Sequence, residues 1–146
     1  MFRKADPDFP SPLQGAICFC EWEGKILMLK RSPHCSQGGF WTAAPGGKLD
    51  PGETPLKAAL REVFEETRLS LDPAQVVYKG SYLCKFSDLE YLLHIYHSHL
   101  PSPPQIAIDF KEHTEFRWAT LEEAHKMPLM RGGTECLKTV FPEKKV

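Results

Sequence analysis

The sequence predicts an α/β domain, because strand-like segments occur on both sides of an amphipathic helix. Four segments have the length and composition of strands, at residues 15–20, 25–30, 75–86 and 90–100. The first two are separated by Glu21-Trp22-Glu23-Gly24, which is typical of a tight turn between two strands. We therefore expect a hairpin, then a helix that begins near Thr54, then a second pair of strands.

The helix has clear start signals and two chemically different faces. Thr54 is a favourable N-cap residue, and Pro55 suits the first helical position, where its missing N–H costs nothing. At about 100° per residue, one side of the helix is apolar and carries Leu56, Ala59, Leu60, Val63 and Phe64. The opposite side is charged and carries Arg61, Glu62, Glu65 and Glu66. The pattern predicts a helix that packs on a sheet and presents an acidic face.

The rest of the chain has weaker signals. Residues 32–52 are rich in Pro, Gly, Ser and Asp, which predicts a long loop of the kind that is usually functional. Residues 111–114 lead into a segment of strand character that begins at Glu115. Thr120 with Glu123 forms a capping-box pattern for a short helix, and a last helix is predicted at 134–140.

Composition limits the classes of function. The 146 residues fit one domain, predicted to span 1–146, and the net charge of −1 indicates no duplex nucleic acid or acidic membrane as partner. The N-terminal residues lack the apolar core of about 7–15 residues that a secretory signal needs. Five cysteines without paired spacing favour a reducing cytoplasm. Cys18 and Cys20 would share one face of a strand as ordinary packing residues.

Three carboxylates on the predicted helix indicate a cation site. Glu62, Glu65 and Glu66 stand at i, i+3 and i+4, so they project from one helical face. Each pair of like charges at this spacing costs an isolated helix about 0.2–0.5 kcal/mol. Magnesium relieves such repulsion, because it prefers carboxylate and water oxygens and often bridges protein carboxylates to substrate phosphates. The glycines at 46, 47 and 52 would let the backbone approach such a ligand closely.

The wider pattern around these carboxylates resembles a known family signature. Residues 47–69, GKLDPGETPLKAALREVFEETRL, resemble the Nudix box, G-x5-E-x7-R-E-U-x-E-E-x-G-U, in which U is a bulky aliphatic residue. The matching residues are Gly47, Glu53, Arg61, Glu62, Val63, Glu65, Glu66 and Leu69. The run Pro45-Gly46-Gly47-Lys48 after Trp41 looks most like the MutT-like branch, although Trp41 stands one residue farther from Pro45 than is usual there.

One position departs from the box. Arg68 occupies the place of the final glycine, where a helix often ends through a residue with positive φ. A residue with a side chain there costs roughly 1 kcal/mol relative to glycine. We expect a modified helix exit that leaves the metal ligands untouched.

The resemblance implies a fold, a chemistry and roles for named residues. The fold implied is a Nudix-type three-layer α/β/α sandwich with a mixed β-sheet. The activity implied is Mg²⁺-dependent hydrolysis of a diphosphate linkage, with Mn²⁺ able to substitute. The metal ligands implied are Glu62, Glu65 and Glu66, with the Gly47 carbonyl as a further one. Arg61 would hold the glutamates by charge-assisted hydrogen bonds, and Glu53 would help to orient this shell.

Four residues are candidates for substrate binding, each with an alternative. Arg31 and Lys48 are positioned to meet phosphate, or they are surface charges on a strand end and a loop. Phe40 and Trp41 would stack on a nucleobase, or they would cover the core.

Glu115 is predicted to take a proton from the attacking water. Carboxylates bound to a metal have lowered proton affinity, so a further carboxylate from another part of the chain is needed. Glu115 precedes a predicted strand, where related enzymes often place such a residue, and Glu112 is its nearest rival. His94, His97 and His99 are interpreted as ordinary surface residues, because His94 would face away from the other two on a strand.

The leading functional hypothesis is conversion of a nucleoside triphosphate to the monophosphate and pyrophosphate. Dinucleoside polyphosphates, ADP-ribose, a nucleotide sugar and a capped RNA are alternative substrates, because the box binds the diphosphate and leaves the attached group to loops. A nucleotide-sensing module without catalysis is the alternative from a different class. The partner expected is a small nucleotide.

Overall fold

The computed structural model describes residues 2–102 and 104–142. It contains eight strands and three helices: β1 (Phe2–Ala5), β2 (Gln14–Trp22), β3 (Lys25–Arg31), β4 (Trp41–Thr42), β5 (Gly46–Lys48), α1 (Pro55–Thr67), β6 (Val76–Phe86), β7 (Leu89–His99), β8 (His113–Thr120), α2 (Leu121–His125) and α3 (Gly133–Val140). A 3₁₀ turn, Pro73–Gln75, precedes β6. Within the described ranges, no helix has the length and apolar character needed to span a membrane.

The eight strands form one mixed sheet. Its main path is β1-β6-β7-β2-β3-β4, while β5 pairs with β2 and β8 pairs with β3. Strands β2 and β7 run parallel, from Gln14 opposite Leu92 to Glu21 opposite His99. The other pairs are antiparallel. Strand β1 had no signal in the sequence, and it forms the edge of the sheet next to β6.

The predicted hairpin forms, but its two strands soon separate. Glu23 and Gly24 both have positive φ, 51° and 75°, as a two-residue type I′ turn requires. Only two residue pairs link the strands, Glu21 with Ile26 and Trp22 with Lys25. Beyond the turn, β3 pairs with β8 and β2 pairs with β5. The prediction of a loop throughout 32–52 was wrong, because β4 and β5 lie within it and complete these pairings.

Helices cover both faces of the sheet, which confirms the three-layer α/β/α sandwich. Alternate residues of β2 face opposite layers, as the two-residue period of a strand requires. On one face, Ala16, Cys18 and Cys20 pack with Ala58, Ala59 and Val63 of α1. On the other face, Phe19 packs with Cys136, Leu137 and Val140 of α3. Cys18 and Cys20 are fully buried on one face, so their prediction as packing residues is confirmed.

Helix α1 begins and ends where the sequence indicates. The Thr54 side chain accepts a hydrogen bond from the Lys57 backbone N–H at 3.3 Å, and Pro55 is the first helical residue. The helix exits at Arg68, which has φ 66°, and the Arg68 N–H donates to the Phe64 carbonyl at 2.8 Å. The modified exit keeps the left-handed geometry that glycine normally provides.

The later elements also follow the sequence. Thr120 and Glu123 form both hydrogen bonds of the capping box at the start of α2. The last helix is Gly133–Val140, one residue longer than predicted. The prediction of a single domain over 1–146 extends to Met1, Pro103 and residues 143–146, which lie outside the described residues.

Candidate active site

Arg61, in the middle of α1, is the centre of a hydrogen-bonded network. Its Nε and Nη2 atoms donate to the two carboxylate oxygens of Glu53, at 2.7 and 2.9 Å. Nη1 donates to Glu62 at 3.0 Å and to Glu65 at 3.3 Å, and Nη2 also donates to the Lys48 carbonyl at 3.1 Å. A planar guanidinium that binds a carboxylate with two parallel bonds fixes orientation as well as charge. The network therefore holds the box carboxylates and the β5 backbone together.

The pKa of Glu53 is controlled by this network more than by burial. Hydrogen bonds from Arg61 and from the Asp50 backbone N–H lower its pKa to about 2. The contact raises the pKa of Arg61 in return, chiefly through the hydrogen bond to Glu53. Glu53 is therefore ionised at neutral pH. Its carboxylate accepts from both the Arg61 guanidinium and the Asp50 N–H, and so links the helix to the loop before it.

Glu62 and Glu66 form the inner pair of carboxylates. The Glu66 side chain is buried, at 6% exposure, and burial is the main cause that raises its pKa. A hydrogen bond with Glu62 and the charges of Glu62 and Glu112 act in the same direction, while the Gly46 backbone N–H opposes them. Two carboxylates at such a contact share a proton unless a positive charge comes between them. A cation bound between Glu62 and Glu66 would therefore relieve the strongest repulsion in the site.

The glycines of β5 leave room for this pair. A β-carbon on Gly47 would lie 2.6 Å from the Glu62 carboxylate, and a β-carbon on Gly46 would collide with the Ala16 carbonyl. A side chain at position 47 would force the Glu62 carboxylate to move, whereas one at position 46 would meet backbone atoms that cannot easily shift. The donor set at this point consists of carboxylate and backbone oxygens, which fits a magnesium ion and fits a thiolate-preferring or imidazole-preferring metal poorly.

Glu65 stands apart from the inner pair. Its side chain is 54% exposed and contacts Arg61. Among the described residues, no group of three or more His, Cys, Asp or Glu side chains is arranged as a ready metal centre. Magnesium usually keeps several waters and needs only one or two protein carboxylates with substrate phosphates, so the Glu62–Glu66 pair satisfies its ordinary requirement. The structure thus brings two of the three predicted ligands, Glu62 and Glu66, together. Glu65 lies outside this pair, at the exposed edge of the site.

A cavity of about 480 Å³ lies beside the pair, and Glu66 is in its wall. Its volume falls within the range of about 300–1,000 Å³ that is typical of small-molecule sites. Arg31 and Lys48 both line it, together with Gly46 and Gly47. The Arg31 guanidinium also donates to the Ser36 carbonyl at 3.2 Å, which holds it at the cavity. Both predicted phosphate-binding cations are therefore on the same cavity as the carboxylates.

The predicted aromatic pair divides between two environments. Trp41 is 6% exposed and belongs to the core, with the Arg117 guanidinium 5.4 Å from its ring centroid. Phe40 is 44% exposed. Trp41 packs in the core, as the second of its two alternatives expects, and lies on β4, which pairs with β3, while stacking of Trp41 or Phe40 on a base stays a prediction.

The two candidates for the proton acceptor have different surroundings. Glu115 lies within β8, opposite Lys30, and the two side chains form an ion pair at 3.6 Å. Glu112 precedes β8, and its charge contributes to the raised pKa of Glu66. The Glu112 backbone is anchored as well, since its carbonyl accepts from the Ser32 N–H at 2.8 Å. The role predicted for Glu115 stays a prediction, and Glu112 remains its rival as an acid outside the box whose charge acts on Glu66.

Two buried histidines near the cavity were missed by sequence reasoning. His113 is 2% exposed, lines the cavity, and its Nδ1 atom is buried without a hydrogen-bond partner. His94 is 1% exposed, so its interpretation as a surface residue was wrong. Burial lowers the pKa of both, to about 4 for His113, where the charge of Arg31 adds to the effect. A lone histidine in a strand gives no local signal of burial, because its face depends on what packs there.

Comparison with known proteins agrees with the fold and the site. The sequence pattern of the NUDIX domain matches residues 12–139. CTP pyrophosphohydrolase from Escherichia coli K12 is 32% identical over 109 residues, which cover 75% of this chain and 76% of that protein. 8-oxo-dGTP diphosphatase from Proteus vulgaris is 43% identical over a shorter stretch of 47 residues, 32% of this chain and 41% of that protein.

A solved structure matches over nearly the whole chain. The MutT NUDIX hydrolase from Burkholderia pseudomallei superposes with a TM-score of 0.77 at 24% identity, over 90% of this chain and 100% of the other. The family pattern and the 32% identical relative show that the chain is a hydrolase that acts on phosphoric anhydrides. The chain belongs to the Nudix hydrolase family, in its MutT-like branch.

Proposed function

We propose that this protein is a Mg²⁺-dependent pyrophosphohydrolase that converts a nucleoside triphosphate to the monophosphate and pyrophosphate. The observation that carries the proposal is the Glu62–Glu66 pair, fixed by Arg61 in the wall of a cavity that also presents Arg31 and Lys48. Carboxylates for a metal and cations for phosphate at one cavity match the needs of diphosphate cleavage.

The cation requirement follows from the charges of the site. Glu62, Glu66 and the Gly47 backbone would hold magnesium, which when bound neutralises phosphate charge and orients the attacking water. Arg61 keeps Glu62 in place through its 3.0 Å hydrogen bond, so the carboxylate need not reorganise when the substrate arrives. Manganese shares the preference for oxygen ligands and is expected to substitute.

Arg31 and Lys48 orient the polyphosphate. Both are on the cavity wall, on β3 and β5 respectively. Their charges attract phosphate oxygens and hold the diphosphate bridge opposite the carboxylates. The apolar part of the same wall, which includes Leu93 and Tyr91, receives the remainder of the nucleotide.

Proton transfer is assigned to Glu112. Water adds to the α-phosphorus, the bond from that phosphorus to the bridging oxygen breaks, and pyrophosphate leaves with the oxygen. The water proton passes to a carboxylate, and Glu112 is the acid outside the box whose charge acts on Glu66. Glu115 is the alternative acceptor, which requires release of its ion pair with Lys30.

A product analysis with labelled water tests the proposal. The protein is incubated with Mg²⁺ and each of the common nucleoside triphosphates, 8-oxo-dGTP, a dinucleoside tetraphosphate, ADP-ribose, a nucleotide sugar and a capped RNA, in water enriched in ¹⁸O. We expect nucleoside monophosphate and pyrophosphate, with the label in the monophosphate. Nucleoside diphosphate and inorganic phosphate as products would contradict the assignment of the attacked bond.

A matched variant separates this site from a contaminating phosphatase. Glu66→Gln should lose the activity, whereas Glu122→Gln should keep it, because Glu122 is an exposed acid of α2 that pairs only with Lys126 among the described contacts. If the protein hydrolysed only ADP-ribose or only the dinucleoside tetraphosphate, that compound would replace the nucleoside triphosphate as the proposed substrate. Binding of nucleotides without any hydrolysis would favour the sensing module.

The compartment proposed is a reducing cytoplasm. All five cysteines are free, and four of them are buried. Thiols that serve as apolar packing groups need no oxidising environment. A small nucleotide is the partner that the cavity supports.

A further inference from the structure

Four side chains form a continuous hydrogen-bonded chain across the sheet. The Tyr78 hydroxyl contacts the Ser81 hydroxyl at 2.6 Å, and Ser81 contacts His94 Nδ1 at 2.7 Å. His94 Nε2 contacts Gln14 Oε1 at 2.8 Å. Ser81 and His94 are fully buried, on neighbouring strands β6 and β7, while Gln14 begins β2. The chain connects the outer surface of β6 to the cavity that Gln14 lines.

The hydrogen bonds from Tyr78 to Gln14 can all be donated in one direction or all in the other, and the His94 tautomer decides which. Burial lowers the pKa of His94, so the ring is neutral at physiological pH and one ring nitrogen donates while the other accepts. Either Nε2–H donates to an oxygen of Gln14, or Nε2 accepts from the NH₂ of a flipped Gln14 amide. The neighbours of the Gln14 amide decide between these two.

Ser11 fixes the direction. The second polar atom of the Gln14 amide lies 3.4 Å from the Ser11 carbonyl oxygen, which can only accept. If the amide were flipped, two oxygens would face each other there. The amide therefore presents its NH₂ to Ser11 and its oxygen to His94. It follows that His94 carries its proton on Nε2, and that Ser81 donates to Nδ1 and accepts from Tyr78.

This arrangement leaves one N–H of Gln14, a residue of the cavity wall, without a partner among the described hydrogen bonds. Its NH₂ group has two hydrogens, and the Ser11 contact is long and uses one of them. The amide oxygen accepts from His94 and cannot donate, so the donor that this side chain can offer to a ligand is the remaining N–H. We propose that Gln14 is a specificity-determining residue, which donates this N–H to an acceptor oxygen of the nucleotide while His94 and Ser81 act as positioning residues.

The inference rests on the proposed function, since it names a contact to the same nucleotide. The acceptor is a carbonyl oxygen of the base, or an oxygen of the sugar or phosphates. Adenine has no carbonyl group, whereas cytosine, uracil and guanine each have at least one. A comparison of the four bases therefore distinguishes the two sources of the acceptor.

The first experiment measures the tautomer directly in the unaltered protein. Long-range ¹H–¹⁵N correlation spectra at neutral pH should show His94 with its proton on Nε2, and the signals are assigned by their loss in His94→Phe. Tyr78→Phe should keep this tautomer, because Ser81 still donates to Nδ1. Ser81→Ala should give a mixture. A proton on Nδ1 in the unaltered protein would overturn the proposed direction.

The second experiment measures the dissociation constants of triphosphate analogues with a methylene group between the α- and β-phosphorus, in the presence of Mg²⁺. Gln14→Met retains length and loses the donor, so binding should weaken roughly three- to tenfold. Ser81→Ala should weaken binding less, and Tyr78→Phe should leave it unchanged. Thermal unfolding of each variant checks that the fold is retained.

The outcomes separate the inference from the proposed function. If Gln14→Met weakens binding of the cytosine, uracil and guanine analogues but not of the adenine analogue, the acceptor is a base carbonyl. If binding of all four analogues weakens equally, the acceptor belongs to the sugar or the phosphates. Unchanged binding of all four in folded Gln14→Met would overturn the contact, as would absence of binding to the unaltered protein. Binding that depends on Gln14, without hydrolysis of any substrate, would reject the catalytic function and retain the contact.

Discussion

The acidic face of α1 and the cavity beside it are built in opposite ways. The acidic face takes Arg61, Glu62, Glu65 and Glu66 from less than two turns of one helix. The cavity takes its wall from strands and loops that are distant in sequence, among them Gln14, Arg31, Tyr91, His113 and Arg131. The first depends on the period of a helix, and the second depends on how the whole sheet is assembled.

The acidic face and the cavity therefore control different properties of the protein. The acidic face is charged and is held by one guanidinium, and in the proposed function it binds the cation and the diphosphate. The cavity combines Arg31 and Lys48 with apolar side chains, so it can discriminate the group attached to the diphosphate. Substitutions on α1 should therefore change turnover, and substitutions on the cavity wall should change affinity or stability.

The largest effect is expected on the acidic face, at Glu66. Glu66→Gln removes a carboxylate of the inner pair and should lower kcat by about 100-fold or more, since metal-assisted charge stabilisation is worth several kcal/mol. Glu65→Gln should also lose most activity if this rim residue joins the cation site. Steady-state kinetics with a Mg²⁺ titration measures both, and Glu122→Gln is the control.

Stability provides the check on these two variants. Glu66 is buried beside Glu62, so loss of one negative charge relieves repulsion. In the presence of a chelator, either variant should melt no lower than the unaltered protein. Full activity in chelator, or in both variants, would contradict the metal site.

The next effect concerns the cavity wall and should appear as pH-dependent stability. Burial and the charge of Arg31 hold the pKa of His113 at about 4, against about 6.5 in an unfolded chain. As pH falls below 6.5, His113 binds a proton in the unfolded state but not in the folded state, so the free energy of unfolding decreases. By pH 4.5 this loss should reach roughly 2–3 kcal/mol.

His113→Phe isolates that contribution. The variant cannot bind the proton in either state, so its stability should fall less between pH 6.5 and 4.5. His94 has a lowered pKa from burial as well, so part of the slope remains. Urea unfolding at several pH values measures the slope, and identical slopes for variant and parent would contradict the buried, neutral His113.

A third prediction tests how the two regions are joined. Glu112 lies in the segment before β8, its charge acts on Glu66, and a positioned general base contributes about 10²–10⁴ in rate. Glu112→Gln should lower kcat at least tenfold with little change in KM or stability. Glu115→Gln is its matched control, because it removes a carboxylate three residues away that pairs with Lys30. A larger loss of kcat in Glu115→Gln would restore the role predicted from the sequence.

The smallest effect is expected at the end of α1. Arg68 has φ 66°, so Arg68→Gly should stabilise the protein by up to about 1 kcal/mol and barely change turnover. The Arg68 guanidinium lies 5.0 Å from the Phe64 ring centroid, and loss of this exposed contact offsets part of the gain by about 0.5 kcal/mol. In a Phe64→Ala background the gain should be larger, as measured by chemical unfolding. Destabilisation in both backgrounds would contradict the account of the helix exit.

The sequence by itself determined the elements whose causes are local. The cap at Thr54, the exit at Arg68, the turn at Glu23-Gly24 and the carboxylate face of α1 each depend on residues within a few positions. Dihedral preferences, capping hydrogen bonds and the helical period act over that range. The same signals carried the family resemblance, because the box lies in one loop and one helix.

Tertiary structure alone decided which distant residues meet. Gln14 and His94 are 80 positions apart, and the parallel pairing of β2 with β7 brings them into contact. The burial of Trp41 and the ion pair of Glu115 with Lys30 depend in the same way on pairing with β3. A side chain in a strand has one of two faces, and the layer that packs against each face is set by contacts far along the chain, so no local pattern specifies them.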